Sequence, residues 1–295
     1  MNIKQKIRDL SEFVVFEHTV FSMPFIFISM IVASRASGGN GWFGFALLGL
    51  GLIAAISARN FAMGFNRLTD RRFDAQNPRT ASRPSVDGRL SVRLMSAFVI
   101  INAALFIVVC YFINPLALAL SVPFLLVMAS YSFVKRFSWA AHLVLGLSLG
   151  LAPIAGAVAV LGAIPLWSIF LSAGVTLWVA GFDLLYALMD RDFDLKMGLF
   201  SIPARFGVRR TLIIARVFHL ITLVCWLLFC HFAQLGIFAL LGAIVGGCML
   251  VAEHKIAAQG MEHINRAFFT INGYLGVIFF IFIVLDCVWT LKWTL

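Results

Sequence analysis

The sequence predicts an all-α, polytopic membrane protein: a bundle of nine transmembrane helices with its N-terminus in the cytoplasm. Three observations carry that prediction. The 295 residues are 62% hydrophobic and only 12% charged, with a mean hydropathy of +0.98; soluble domains are about 45–50% apolar and about 25% charged. The apolar residues gather into nine runs near the length that spans a hydrocarbon core. Lysine and arginine collect in alternate connections between those runs, as they do in cytoplasmic loops.

The runs cover 19–36, 43–65, 92–113, 115–134, 139–162, 166–189, 211–231, 234–252 and 268–290. In lipid an unpaired backbone amide has no water to bond, so runs this long must be helical. Pro115 and Pro165 stand where helices begin, and there a missing N–H costs little. With Lys4, Lys6 and Arg8 inside, the internal loops are 66–91, 135–138, 190–210 and 253–267. These loops, the N-terminus and the adjoining helix ends hold every Lys and Arg except Arg35 and Lys292. The opposite loops, near 114, 163–165 and 232–233, hold none. We expect one domain over 1–295. Met1–Phe16 shows no cleavage-site pattern and reads as retained.

The net charge of +10 might suggest a nucleic-acid partner, but the basic residues lie in short loops between apolar runs, which excludes that class. The partners expected instead are membrane lipid and lipid-borne substrates. Cys110, Cys225, Cys230, Cys248 and Cys287 lie in or beside apolar runs without metal-ligand spacing, and read as buried thiols.

Six of the 13 acidic residues fall in two short segments. The first, at the end of the second run, places Asn66, Asp70 and Asp74 at i, i+4 and i+8. The second, at the end of the sixth, places Asp183, Tyr186, Asp190 and Asp194 at i, i+3, i+7 and i+11, with Asp192 pointing elsewhere. Either spacing lines one helix face. Carboxylates one turn apart repel each other, and ionisable groups at a bilayer are usually functional. A divalent cation relieves that repulsion, and oxygen ligands select Mg²⁺ over zinc. Two such faces are suited to hold a diphosphate through bridging Mg²⁺. Arg67, Arg71, Arg72, Arg79, Arg83, Lys135, Arg136, Arg191, Lys196 and Arg205 lie near enough in sequence to serve as diphosphate partners or as counter-charges. A diphosphate bound at a lipid-embedded bundle points to an isoprenoid tail. Mg²⁺ and basic groups would stabilise its departure, and Tyr186 could face the allylic cation.

These motifs resemble the UbiA superfamily of intramembrane aromatic prenyltransferases. That family has nine transmembrane helices, Asn/Asp-x-x-x-Asp-x-x-x-Asp on the second and Asp-x-x-Tyr-x-x-x-Asp-x-x-x-Asp on the sixth. Asn66, Asp70, Asp74 and Asp183, Tyr186, Asp190, Asp194 match without a gap. Arg59 before the first motif, Pro78-Arg79-Thr80-Ala-Ser-Arg83-Pro84 after it, Tyr131-Ser-Phe-Val-Lys135-Arg136, and the stretch from Lys196 to Gly207 agree with the flanks.

The resemblance implies Asn66, Asp70, Asp74, Asp190 and Asp194 as Mg²⁺–diphosphate ligands. It implies Arg79, Lys135, Asn66 and Arg59 as diphosphate-binding residues. Asp183 and Tyr186 would position the prenyl cation and the acceptor, with Asp70 and Asp190 also catalytic. The implied enzyme is a multi-pass protein of the inner, cytoplasmic membrane with its site loops on the cytoplasmic side. It would transfer a polyprenyl group from polyprenyl diphosphate to an aromatic acid in ubiquinone or menaquinone biosynthesis.

Within the superfamily the chain is most similar to 4-hydroxybenzoate polyprenyltransferases, with two departures. The first run opens with Phe16-Glu17-His18-Thr19 in place of Arg-x-Asp-Lys/Arg-Pro, and the first motif reads Asn-Arg-Leu in place of Asn-Asp-Tyr. The acceptor therefore stands open between 4-hydroxybenzoate and a 1,4-dihydroxy-6-naphthoate. His18, Glu17, Asn265 and Asn272 are read as packing or helix–helix hydrogen-bonding groups. Three other classes compete. A transporter would carry its acids at the bilayer midplane, not clustered at one end. A structural subunit needs no matched motifs. A relative acting on haem or a chlorophyllide differs only in its acceptor.

Overall fold

The structure is a computed structural model that describes residues 3–14, 19–260 and 270–291. Glu17, His18 and Asn265 lie outside the described residues. The fold is all-helical and polytopic. A short amphipathic helix α1 (Ile3–Phe13) precedes α2 (Thr19–Ala36), α3 (Phe45–Asp74), α4 (Val92–Ile113), α5 (Pro115–Val134), α6 (Ala141–Leu161) and α7 (Leu166–Ala187). A tight 3₁₀ turn (Leu188–Asp190) and the short α8 (Arg191–Met197) lead into α9 (Ile202–Phe232), α10 (Ile237–Ala257) and α11 (Asn272–Leu291). Among the described residues eight helices are long and apolar enough to cross a membrane, and α2 adds a shorter apolar stretch, Met23–Ala36.

Local chemistry sets the helix ends. Asn114 accepts the Ala117 N–H at 2.8 Å, and Pro115 follows as the first residue of α5. Ser91 and Ser201 cap α4 and α9 in the same way, at 3.3 Å each. Gly162 ends α6 with a left-handed φ of 63° that a side chain would disfavour. The buried Asp286 of α11 takes the N–H groups of Gly236 (2.8 Å) and Ala239 (3.3 Å), so one helix caps the start of another.

Helices α3, α4 and α5 pack together on one side, and α7, α9, α10 and α11 on the other; α2 and α6 pack on each other along the seam. The larger core is aromatic: Phe25, Trp178, Trp226 and Phe279 meet with ring centroids 5.0–6.4 Å apart. Outward-facing Ile100, Phe112, Leu126 and Leu220 are exposed, as lipid-facing side chains must be.

Several expected boundaries shift. The second span does not stop at 65 but continues to Asp74, which puts the whole first motif on helix. The loop expected at 190–210 contains α8 and the start of α9, with a kink at Gly207, whose φ of 75° only glycine adopts cheaply. Glu253, His254 and Lys255 belong to α10, not to a loop. Four cysteines are buried as expected; Cys248 is exposed, because it lies on the outer face of α10. Asn272 does make the helix–helix bond expected of it, donating to Glu253 at 2.7 Å and accepting from the Trp178 indole at 2.8 Å.

Candidate active site

At the end of the bundle that carries the long loops, the last turns of α3 face the α7–α8 junction. The straight run of α3 keeps Asn66, Asp70 and Asp74 on one face, as their spacing predicts. Asp70 is almost wholly buried, a location that needs partners. It has three: the Asn66 amide at 3.0 Å, the Lys135 ammonium at 2.5 Å and the Arg136 guanidinium at 3.4 Å. Lys135 and Arg136 stand just past the end of α5, so that helix delivers both cations to the α3 acid. Asp74 pairs with Arg83 at 2.8 Å, while its Oδ2 is buried and has no hydrogen-bond partner among the described residues.

The second motif departs from its prediction. Asp183 and Tyr186 lie on α7, but the helix tightens into the 3₁₀ turn at 188–190, and Asp194 lies on the separate α8. The four residues do not form the stripe of one continuous α-helix. The break coincides with tethers from the 75–91 loop. Asn77 donates to Asp190 at 3.2 Å, and Arg79 holds both Asp190 oxygens through its Nε and Nη2. A 3₁₀ stretch inside a helix often marks a functional site.

Arg79 also donates to the Tyr186 hydroxyl at 3.0 Å and lies over its ring, 5.2 Å from the centroid. Burial works to lower the Arg79 pKa, yet the hydrogen bond and charge of Asp190 outweigh it and hold the guanidinium above the ordinary arginine value. The field of Asp74 reaches Arg79 as well, so this side chain couples the two clusters. The Phe200 N–H closes the junction by donating to the Lys135 carbonyl at 2.8 Å. Asp194 hydrogen-bonds Ser201 and lies within electrostatic reach of Asp190, Lys135 and His142.

Arg59, expected to bind the diphosphate, stands deeper in the bundle than the motif acids. It lies seven residues before Asn66, about 10 Å deeper along α3. There it lines a cavity of ≈ 130 Å³ with Tyr131, Met128, Leu145, Ser148 and Ala155. Ile26, Ala54, Phe106 and Phe124 line both this cavity and a deeper apolar one of ≈ 40 Å³ that reaches Cys110 and Ala117. Tyr131 is half-buried where the charges of both Asp70 and Asp183 reach it. A largely apolar channel, formed by these two cavities, thus lies below the polar site, with Tyr131 between them.

Sequence reasoning missed His142. This buried residue near the start of α6 meets Asp183, with Nδ1 2.7 Å from Oδ2. The available signal was an ionisable residue within an apolar run, which in a membrane helix is a functional candidate by default.

The donor chemistry fits a hard divalent cation. The groups are carboxylates and an amide, and one buried carboxylate oxygen of Asp74 is left unbonded. Among the described residues no three His, Cys, Asp or Glu side chains converge to cage a metal alone. Mg²⁺ seldom asks for such a cage, because it binds through one or two carboxylates plus substrate phosphate oxygens.

Comparison with known proteins agrees with this geometry. The model of the UbiA prenyltransferase family matches residues 22–285. The 4-hydroxybenzoate octaprenyltransferase of Photobacterium profundum is 33% identical over 218 residues, which are 73% of this chain and 75% of that protein. The apo structure of a UbiA homolog from Aeropyrum pernix K1 superposes with a TM-score of 0.83 at 31% identity, covering 92% of this chain and 98% of that one. A UbiA homolog from Archaeoglobus fulgidus bound to DMAPP and Mg²⁺ shares the fold, with a TM-score of 0.68 at 19% identity and coverage of 95% and 99%.

Proposed function

The chain belongs to the UbiA prenyltransferase family, and from that membership we propose that it transfers a polyprenyl group, with Mg²⁺, from a polyprenyl diphosphate to an aromatic carboxylate. The acceptor is of the 4-hydroxybenzoate or 1,4-dihydroxy-6-naphthoate type. That the chain is a prenyltransferase follows from its family; the substrates and residue roles are our reading. One observation carries it: two carboxylate clusters, each already gripped by loop cations, come together through Arg79 above an apolar channel. Mg²⁺- and DMAPP-bound relatives of the same fold support it.

Asn66, Asp70, Asp74, Asp190 and Asp194 would hold Mg²⁺, which supplies Lewis-acid neutralisation of the departing diphosphate. Arg79 and Lys135 are poised to turn from carboxylate to phosphate oxygens, for which a guanidinium fork and an ammonium are both suited. The prenyl tail lies in the channel beneath Tyr131. Tyr186 presents its ring to the allylic cation. Arg59, in the channel wall away from the acids, suits the acceptor's carboxylate better than the diphosphate. The site then faces the cytoplasm of the inner membrane, within one domain over 1–295.

Membranes carrying the chain, given Mg²⁺ and labelled geranyl diphosphate, should prenylate 4-hydroxybenzoate or 1,4-dihydroxy-6-naphthoate when each is offered separately. Prenylation of neither, with the diphosphate left intact, overturns the reading. Asp70→Ala and Asp190→Ala should each abolish turnover while the protein still inserts. Full activity in either variant would remove that carboxylate from the site.

A further inference from the structure

We propose that Asp183 and His142 form the proton-accepting pair of the transfer reaction, with Asp183 toward the acceptor and His142 positioning it from behind. The inference rests on the prenyl-transfer reading above. Such a transfer must dispose of one proton. The prenyl C1–O bond breaks and its electron pair leaves with the diphosphate. A ring carbon of the acceptor supplies the pair for the new C–C bond. That carbon then sheds its hydrogen, the C–H pair returns to the ring, and the proton needs a base.

The motif carboxylates differ in their partners. Asp70 is held by Lys135 and Arg136, Asp74 by Arg83, and Asp190 by Arg79. Each is also read above as a Mg²⁺ ligand, as is Asp194, and a carboxylate committed to a metal is not free to take up a proton. The residue facing Asp183 is an imidazole, His142, at 2.7 Å. Asp194 lies on α8, beyond the break in the helix, and hydrogen-bonds Ser201. Asp183 is thus the motif acid that is not assigned to the metal and whose resting partner is an imidazole.

Burial assigns the two members their places. The Asp183 side chain is 22% exposed and His142 only 7%. Asp183 is therefore the accessible partner, and its charge reaches Tyr131 in the channel wall. With Nδ1–H donated to Asp183, the neutral ring keeps its lone pair on Nε2. That nitrogen is buried and has no partner among the described residues. The fold retains a buried, unsatisfied acceptor directly behind the acid. When the ring proton arrives on the free oxygen of Asp183, the pair passes from one negative charge to none, while the Nδ1–H keeps holding Oδ2 and fixes the direction the carboxylate faces. His142 is a positioning residue in this scheme.

The test uses the full-length chain in membranes with Mg²⁺, geranyl diphosphate and the acceptor the parent prenylates, with and without ring deuterium at the substituted position. In His142→Phe, the ring volume is kept but no donor is left to position Asp183. Its kcat should fall by about 10²-fold, with KM for geranyl diphosphate little changed, and a ring-deuterium isotope effect above that of the parent should appear. Parent-like kcat, or a lower kcat with no rise in the isotope effect, overturns the proposal. If His142→Phe fails to insert, Asp183→Asn is read the same way, because it keeps the shape and removes the base. A parent chain that prenylates neither acceptor overturns the function itself. A parent that prenylates one while both variants show an unchanged isotope effect overturns only the pair.

Discussion

Arg79 connects groups that the sequence keeps far apart. Its fork closes on both oxygens of Asp190, its remaining nitrogen reaches the Tyr186 hydroxyl, and its face lies on the tyrosine ring. A lysine there would keep the charge and lose the fork and the stacking. Arg79→Lys should therefore raise KM for geranyl diphosphate about tenfold, equivalent to about 1.4 kcal/mol, with the detergent melting temperature unchanged. A parent-like KM would show that Arg79 serves the acid and not the substrate. The other residues divide by how their contacts arise. Asn66, Asp70 and Asp74 were legible because a straight helix turns spacing into geometry. The Asn77–Asp190 and His142–Asp183 contacts were not, since each joins separate elements and depends on how those pack.

Among the elements, the contact between α6 and α7 carries the most consequence. A Cβ on Gly146 would stand 2.1 Å from the Thr176 carbonyl oxygen, and one on Gly150 would stand 2.1 Å from the Thr176 hydroxyl. Small residues four apart let two membrane helices touch backbone to backbone; here the Ser172 hydroxyl reaches the Gly150 carbonyl at 2.6 Å. The obstacle at Gly146 is backbone and cannot rotate away, so Gly146→Ala must push the helices apart. We expect a loss of about 1–3 kcal/mol, read as a lower melting temperature in detergent. Because His142 rides on α6 and Asp183 on α7, turnover should fall with it. Gly49→Ala, with nothing within 4 Å of its Cβ, should melt like the parent. A parent-like melt for Gly146→Ala would mean the two helices do not pack this closely. The α7–α8 junction shows the limit of periodicity at this scale. The uniform spacing of Asp183 to Asp194 implied one helix, but spacing carries no trace of the tethers from Asn77 and Arg79 that accompany the tightened turn.

At the scale of the molecule, the class and the order of the spans were legible because lipid leaves the backbone no alternative to long helices. Boundaries failed where charged residues sit on helix: Arg67 to Asp74 extend α3, and Glu253 to Lys255 extend α10. Hydropathy reads those stretches as loop, whereas charged groups in them find partners within the bundle, as Asp70 does with Lys135 and Glu253 with Asn272. The same structure gathers the connections after α3, α5, α7 and α10 at one end, together with nearly all the basic residues. The opposite connections, around Asn114, Gly162–Pro165 and Ala233–Gln234, carry no Lys or Arg. The orientation proposed above follows if positive charge is retained on the cytoplasmic side, which would carry both acidic clusters with it. Gln76, exposed in the loop after α3, and Gln234, exposed between α9 and α10, report the two ends. In a background without the five native cysteines, Gln76→Cys should react with a membrane-impermeant maleimide only in inverted vesicles. Gln234→Cys should react only in intact cells. The reverse pattern would turn the molecule over and place the diphosphate site outside the cell, away from any cytoplasmic supply of prenyl diphosphate. Labelling of both positions from one side would break the alternation of spans on which the orientation rests.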